Sequence, residues 1–305
     1  MRCLVTGATG FVGRTLSAHL ADAGYGISLT SRHGGSLQDG SSVKAADLAT
    51  TDITDLIEGV DAVFHLAGIA HQQASEADYQ RVNVDASCRL ATAALAAGVK
   101  TFVFMSSTRA EPRELFGPDY YGRSKLAAEK ALGALASGSS MRLVIVRPAL
   151  VYGPGVKGNL ERLARAMISG LPLPPAHGAR SMIGAADLSR LLIHVLASVG
   201  RDTDVLTVTD GERYSTQRIA LALRLAANRR GNGLVVPQWC WQLGSRLLDL
   251  RSGAAAGLHY DKLFGDDLVA GNAHRSVPDW KPEQVFEDLA AEVVAAVRQA
   301  PVSTP

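Results

Sequence analysis

Residues 4–13 read LVTGATGFVG. A short apolar, β-branched run ends in a turn with Gly7, Gly10 and Gly13 at three-residue intervals, and the chain passes straight into the helical pattern VGRTLSAHLADAG. Strand, glycine turn, helix is the order that binds a dinucleotide diphosphate. Glycine permits the tight turn and lets phosphate approach without a Cβ in the way, and the helix start offers free N–H groups and the positive end of its dipole. A glycine cluster alone is weak evidence; placed between a strand and a helix it becomes specific. Thr9, Phe11 and Val12 lie between these glycines and belong to the same expected cofactor contact.

Moving outward, further apolar runs follow: GISLTSR, SVKAADL, DAVFHLAG, TFVFMSS and RLVIVRPALVYG. They alternate with the helical stretches SEADYQRVNVDASCRLATAALAAG and YGRSKLAAEKALGALASG. These helices and the first one end in glycine, the usual left-handed cap. Strands alternating with helices imply an α/β fold of Rossmann type, a doubly wound parallel sheet covered on both faces. After residue 150 the alternation loosens into NLERLARAMISG, the proline-rich LPLPPAHGARSMIG, LSRLLIHVLASVG, VLTVTDG, STQRIALALRLAAN and QWCWQLGSRLLDL. VPDWKPEQVFEDLAAEVVAAVRQ closes the pattern, and Pro282 is expected to start the last helix. We expect a dinucleotide-binding domain over 1–152 with parts of 181–230, and a smaller mixed α/β substrate lobe over 153–180 and 231–305.

Bulk composition narrows the function. The chain has 305 residues, 47% hydrophobic and 20% charged, an ordinary soluble globular balance. Its net charge of +2 is too small to argue for nucleic acid or an anionic membrane surface. Cys3, Cys88 and Cys240 are far apart with no metal-ligand spacing, so no metal site is expected. MRCLVTG is not the start of a signal peptide, and no apolar run reaches bilayer length; a cytoplasmic protein is expected.

The strand ends carry the chemistry. The second strand runs out into Ser31 and Arg32, where an NAD site usually has an acidic residue. A hydroxyl and a guanidinium suit a 2′-phosphate, so NADP is favoured and NAD stays open; a surface loop arginine is the competing reading. Asp47 and Leu48 end the third strand, where a carboxylate can accept from the adenine amino group. Leu66, Ala67 and Gly68 end the fourth, small enough to let the backbone pass close to the cofactor. The fifth ends in Ser106, Ser107 and Thr108. Fourteen residues past Ser107 comes Tyr121, and Lys125 follows one helical turn later on the same face. A free tyrosine has a pKa of about 10 and is a poor base at neutral pH. A neighbouring ammonium is expected to lower that value. A serine hydroxyl can then hold the substrate oxygen while tyrosine moves the proton. Tyr120 does not share that face and reads as loop packing.

TGATGFVG, DL, HLAG, NV at Asn83, the strand-end serine, YGRSK and RPALVYGPG together resemble the extended short-chain dehydrogenase/reductase superfamily, in its NAD-dependent epimerase/dehydratase branch. The resemblance spans nearly the whole chain. It implies that Ser107, Tyr121 and Lys125 are catalytic, with Ser107 preferred to Ser106, and that Asn83 and the backbone at Pro148 help place the cofactor. In the second half it implies that Asn159 bonds a sugar-nucleotide phosphate, Arg180 pairs with the diphosphate, and the backbone near Leu173 lines the uracil. His71 has two readings, a sugar contact and a solvated loop histidine. VYGPGVKGN, GLPLP and DGERYST are similar to bacterial UDP-N-acetylhexosamine 4-epimerases and UDP-4-keto-6-deoxy-N-acetylhexosamine 4-reductases of polysaccharide biosynthesis. Lys262 and VPDW depart from that pattern, which puts the phosphate contacts there in doubt. The resemblance implies a UDP-sugar substrate and is compatible with a homodimer. Arg32 tips the expected reaction toward 4-keto reduction over epimerisation; a non-catalytic NADP(H) sensor is the alternative of another class.

Overall fold

In a computed structural model of the chain, the described residues are 1–70, 74–111, 119–197, 203–229, 236–252, 260, 264–277 and 279–300. His71 and Lys262 lie outside them. The centre is an eight-stranded sheet built from β1 (Arg2–Thr6), β2 (Gly26–Ser31), β3 (Gly35–Ser36), β4 (Ser42–Ala45), β5 (Ala62–His65), β6 (Thr101–Met105), β7 (Arg142–Pro148) and β11 (Asp204–Val208). Their order is β11-β7-β6-β5-β1-β2-β4-β3, parallel throughout except for the short β3–β4 pair. From β1 the chain steps one way to β2 and β4, then returns to β5 on the other side and continues through β6, β7 and β11. The order therefore reverses between β1 and β5, and a crevice opens beyond the strand ends at such a point.

Both faces are covered, as the continuous apolar strands require. On one face α1 (Phe11–Asp22) packs against α7 (Ala185–Ala197), with Leu16 and Leu20 meeting Leu188, Leu191, Leu192 and Val195. On the other, α4 (Ala86–Ala96) and α5 (Tyr120–Ala136) bury Leu90, Ala91, Ala128 and Leu132 over Phe102 and Phe104. Each such leucine, fully buried, is worth about 2 kcal/mol. Gly24, Gly98 and Gly138 follow α1, α4 and α5 with φ of 76°, 76° and 70°, the left-handed stops expected from sequence.

A third core lies beyond the sheet. It joins α6 (Asn159–Ser169), α8 (Thr216–Ala226) and the last helix, α11 (Phe286–Gln299), around Tyr152, Tyr214 and Phe286. Two small ribbons frame it: β8 (Leu150–Tyr152) with β10 (Met182–Gly184), and β9 (Ala179–Arg180) with β12 (Tyr214–Ser215). Two segments depart from the sequence reading. The stretch expected as one helix from Ser75 breaks into α3 (Glu76–Tyr79), a wide π-helical turn over Gln80–Asp85, and α4. The wide turn draws Asn83 fully inside, where it bonds the chain after β5. The last helix starts not at Pro282 but at Phe286. The Glu283 and Gln284 N–H groups, just before that start, both donate to Asp187 Oδ2 at 3.1 Å. Asp288 then accepts from the Val285 N–H at 3.0 Å and caps the later start.

Asp187 is fully buried and also pairs with Arg190, so one carboxylate ties α7 to the chain entering α11. Asp187→Ala removes the acceptor and leaves two part-buried N–H groups and the Arg190 guanidinium without it. The expected cost is about 3 kcal/mol, read as a lower urea midpoint at unchanged slope.

Candidate active site

At the β1–β5 switch point lies a cavity of about 390 Å³. Its floor is the glycine turn. Gly7 has φ +69°, and a Cβ there would sit 2.8 Å from the Ala67 nitrogen. A Cβ on Gly13 would fall 2.2 Å from the Gly7 carbonyl oxygen, so only glycine lets α1 start this close to the turn. Gly10 caps α1 without a side chain, and no acidic residue follows in the first turn, so the N-terminal N–H groups suit an anion. Gly7, Thr9 and Gly10 line the cavity. Phe11 instead packs toward the third core, Val12 lies against the α1–α7 core, and Gly13 contributes the close helix approach.

The walls come from three strand ends. Ser31 and Arg32 line the β2 side; the Ser31 hydroxyl donates to the Gly34 carbonyl at 3.2 Å, while Arg32 is exposed at the rim. Asp47 and Leu48 line the β4 side, and Leu66, Ala67 and Gly68 the β5 side. A cradle of glycine backbone, an uncapped helix start and a carboxylate-bearing far wall fit a dinucleotide. Asn83 does not line this cavity. Its amide accepts from the Ile69 N–H at 2.8 Å and donates to the Ile69 carbonyl at 3.1 Å and to Ser124 at 3.0 Å, bracing the wall from behind. Pro148 is buried at the end of β7, also off the cavity lining.

Gly68 links the cavity to a second group of side chains, because a Cβ there would lie 3.4 Å from Lys125 Nζ. Lys125 is 4% exposed; it donates to the Met105 carbonyl at 2.8 Å and sits 4.7 Å above the Phe104 ring. Burial pulls its pKa down to about 8, opposed by Glu129 one turn further on. One turn earlier, Tyr121 is half-buried and hydrogen-bonded to Ser107. Burial pushes its phenol up to about 12, with Ser107 and the Arg109 guanidinium acting in the opposite sense. The expected lowering by Lys125 is absent from the protein by itself. The lysine is turned to the Met105 carbonyl, and desolvation of the phenol outweighs the cations near it. Ser107, Tyr121 and Lys125 thus converge at the end of β6, and the phenol rests as a proton holder. Tyr120 is 41% exposed under the Arg123 guanidinium, away from this group.

The sequence reading missed the polar chain beneath. Ser87 donates to the Asn83 carbonyl at 2.8 Å, which makes it the acceptor for His65 Nε2–H at 2.8 Å. His65 Nδ1 then accepts from Thr6 Oγ1 at 2.7 Å, and Thr6 in turn accepts from the Ala67 N–H at 3.2 Å. Burial, with Lys125 nearby, drops the His65 pKa to about 3, so a neutral imidazole stitches β1, β5 and α4 under the cavity. The one available signal was a histidine inside the otherwise apolar run DAVFHLAG.

In the outer lobe Asn159 is exposed as the first residue of α6, whose cap Gly158 supplies no side chain. Arg180 is half-buried on β9, with Nη2 3.5 Å from Thr216 Oγ1. Leu173 is 5% exposed, its side chain in the third core, so only its backbone can face a ligand.

Sheet order, switch-point cavity and glycine cradle define a dinucleotide-binding protein of Rossmann type. The chain belongs to the NAD dependent epimerase/dehydratase family, whose model matches residues 3–208, and is an enzyme of that kind. It is 33% identical to a UDP-glucose 4-epimerase of Vibrio cholerae over 97% of this chain and 95% of that protein. It is 32% identical to a UDP-2-acetamido-2,6-beta-L-arabino-hexul-4-ose reductase of Pseudomonas aeruginosa over 52% of this chain and 38% of the relative. Its fold matches the solved structure of MoeE5 in complex with UDP-glucuronic acid and NAD, with TM-score 0.78, 24% identity, and coverage of 98% and 99% of the two chains. Among the described residues no helix is long and apolar enough to cross a membrane.

Keeping Lys125 charged inside the protein costs stability. Its folded pKa, about 8, lies below the 10.5 of a free lysine, so its ammonium is penalised fully below pH 8 and not at all above about pH 10.5. Lys125→Met is expected to raise stability at pH 7 by about 2 kcal/mol. That gain should fade as pH rises from 8 to 10.5, measured by urea unfolding across the range.

Proposed function

We propose that this enzyme moves hydride at C4 of a UDP-linked sugar. The observation that carries the reading is the convergence of Ser107, Tyr121 and Lys125 at the end of β6, with Lys125 next to Gly68 in the wall of the dinucleotide cavity. The nicotinamide, when bound, supplies or accepts the hydride. The chain's own groups handle the oxygen at the same carbon. The Ser107 hydroxyl donates to O4 and fixes its direction, and Tyr121 gives or takes the proton at O4. Turned from the Met105 carbonyl toward the phenol, the Lys125 ammonium favours phenolate when the alcohol is oxidised. A phenol pushed up to about 12 carries its proton at neutral pH, the form the reductive direction needs.

The UDP moiety is placed across the outer lobe, with its diphosphate between the α6 start at Asn159 and Arg180, and the uracil along the backbone at Leu173. Arg180 suits a doubly anionic partner, because its burial favours an anion that returns the charge stabilisation lost with water.

Two uses of the cofactor fit these residues. The epimerase reading, in which the cofactor stays bound and hydride returns to the opposite face of the keto sugar, stands first. It is supported by the near full-length similarity to the Vibrio cholerae 4-epimerase. The 4-keto reductase reading is supported by Arg32, exposed at the cavity rim where a 2′-phosphate of NADP would fall. Incubation with UDP-GlcNAc and with UDP-4-keto-6-deoxy-GlcNAc, followed by NADPH absorbance and product stereochemistry, separates the two.

Tyr121→Phe should lower kcat by roughly a thousandfold or more with cofactor affinity held within about threefold; retained turnover removes the assignment. Arg32→Asp should shift the NADPH to NADH preference by at least roughly tenfold toward NADH. An unchanged ratio removes the NADP argument.

A further inference from the structure

We propose that Glu129, held by Arg147, is a positioning residue for the hydride-transfer site: it ties back Ser106 so that Ser107 is the hydroxyl offered to Tyr121, and it sets a fixed negative charge one turn below Lys125. The inference rests on the reading of the site given above.

Glu129 is 5% exposed on α5, so its carboxylate is largely shut off from solvent. Arg147 reaches it from β7 with a two-pronged contact, Nε to Oε1 at 2.9 Å and Nη2 to Oε2 at 2.5 Å. Arg147 continues outward to Glu111 at 3.1 Å. A bidentate guanidinium is the geometry that offsets burying both charges. The Ser106 hydroxyl donates to the same Glu129 Oε1, and the Ser106 N–H donates to the Val146 carbonyl at 2.7 Å. Ser106 is therefore held by side chain and backbone, 3% exposed and facing the interior. Side chains alternate along an extended chain, so Ser107 must face the other way, toward Tyr121. The Ser107 oxygen accepts from the Arg109 N–H at 3.2 Å, leaving its own proton for an oxygen in the site.

Glu129 also acts through space. The titratable and charged groups around Lys125 are His65 from β5, which is neutral, Tyr121 and Glu129 on its own helix, and Arg147 and Glu111 behind Glu129. Of these Glu129 raises the Lys125 pKa, against the dominant pull of burial. Arg147 is the cation paired with the Glu129 carboxylate, and that carboxylate works against the burial of Lys125 to favour its ammonium form.

Two variants separate the two roles. Glu129→Gln keeps an oxygen for Ser106 and removes the charge. Ser106→Ala keeps the ion pair and removes the tie. The Lys125 titration is followed by NMR of lysine labelled with carbon-13 at Cε, assigned by Lys125→Arg, which needs no turnover. In Glu129→Gln its midpoint should fall by at least about one pH unit, and the alkaline limb of kcat should move down equally, because turnover is lost as Lys125 deprotonates. In Ser106→Ala kcat should fall roughly tenfold with KM and the alkaline limb unchanged, and Ser106→Thr should restore it. A Lys125 midpoint that stays put in Glu129→Gln overturns the electrostatic role, and an undiminished kcat in Ser106→Ala overturns the positioning role. If Glu129→Gln does not fold, the Ser106 pair decides. If the wild type turns over no nucleotide sugar, the functional reading falls while the NMR titration still decides the charge effect.

Discussion

The backbone at Gly7 has neighbours on every side. Its φ of +69° turns the chain out of β1, its Cα faces the Leu66–Ala67 backbone, and its carbonyl oxygen is close enough to Gly13 to exclude any Cβ there. Three consequences follow from that one crowded peptide. β1 and β5 stay adjacent up to their ends, α1 begins directly beneath the turn, and the α1 N–H groups point into the crevice where strand order reverses. A side chain at Gly7 or Gly13 would push apart the sheet edge and the helix start together, so the cavity depends on an absence of atoms.

Around that cavity the protein manages charge by burial. Lys125 is kept charged at a cost in stability, Tyr121 is kept protonated, and His65 is kept neutral between two hydroxyls. The carboxylate that offsets Lys125 is itself enclosed, and Arg147 makes that tolerable. The ammonium of Lys125 and the neutral phenol of Tyr121 both stand on α5, and the other charges are placed by elements of the sheet or by α5. Rigid elements rather than loops hold all of these groups except Ser107, which caps the short turn after β6.

Much of this was legible in the order of the residues. Seven apolar runs became strands because a parallel sheet buried on both faces needs uninterrupted hydrophobic segments, and glycines ended the helices as their φ values require. The spacing of Tyr121 and Lys125 was readable because helical geometry makes it a local fact. Other features had no local signature. Pro282 suggested a helix start, yet the helix begins at Phe286, and the two N–H groups before it bond Asp187, nearly a hundred residues away. Asn83 resembled a cofactor contact, but the amide is fully engaged with Ile69 and Ser124. Arg147 inside an apolar strand and Glu129 one turn past Lys125 were visible as letters, yet nothing nearby in the chain says that they meet.

By itself, then, the sequence determined the sheet-and-helix alternation, the glycine cradle and the Tyr–Lys spacing, all set by contacts within a few residues. Only the tertiary structure decided what ties Ser106 back from the phenol, which way Lys125 is turned and in which direction each buried group titrates. Those outcomes depend on desolvation and on partners from distant strands, and neither exists until the chain has closed around them.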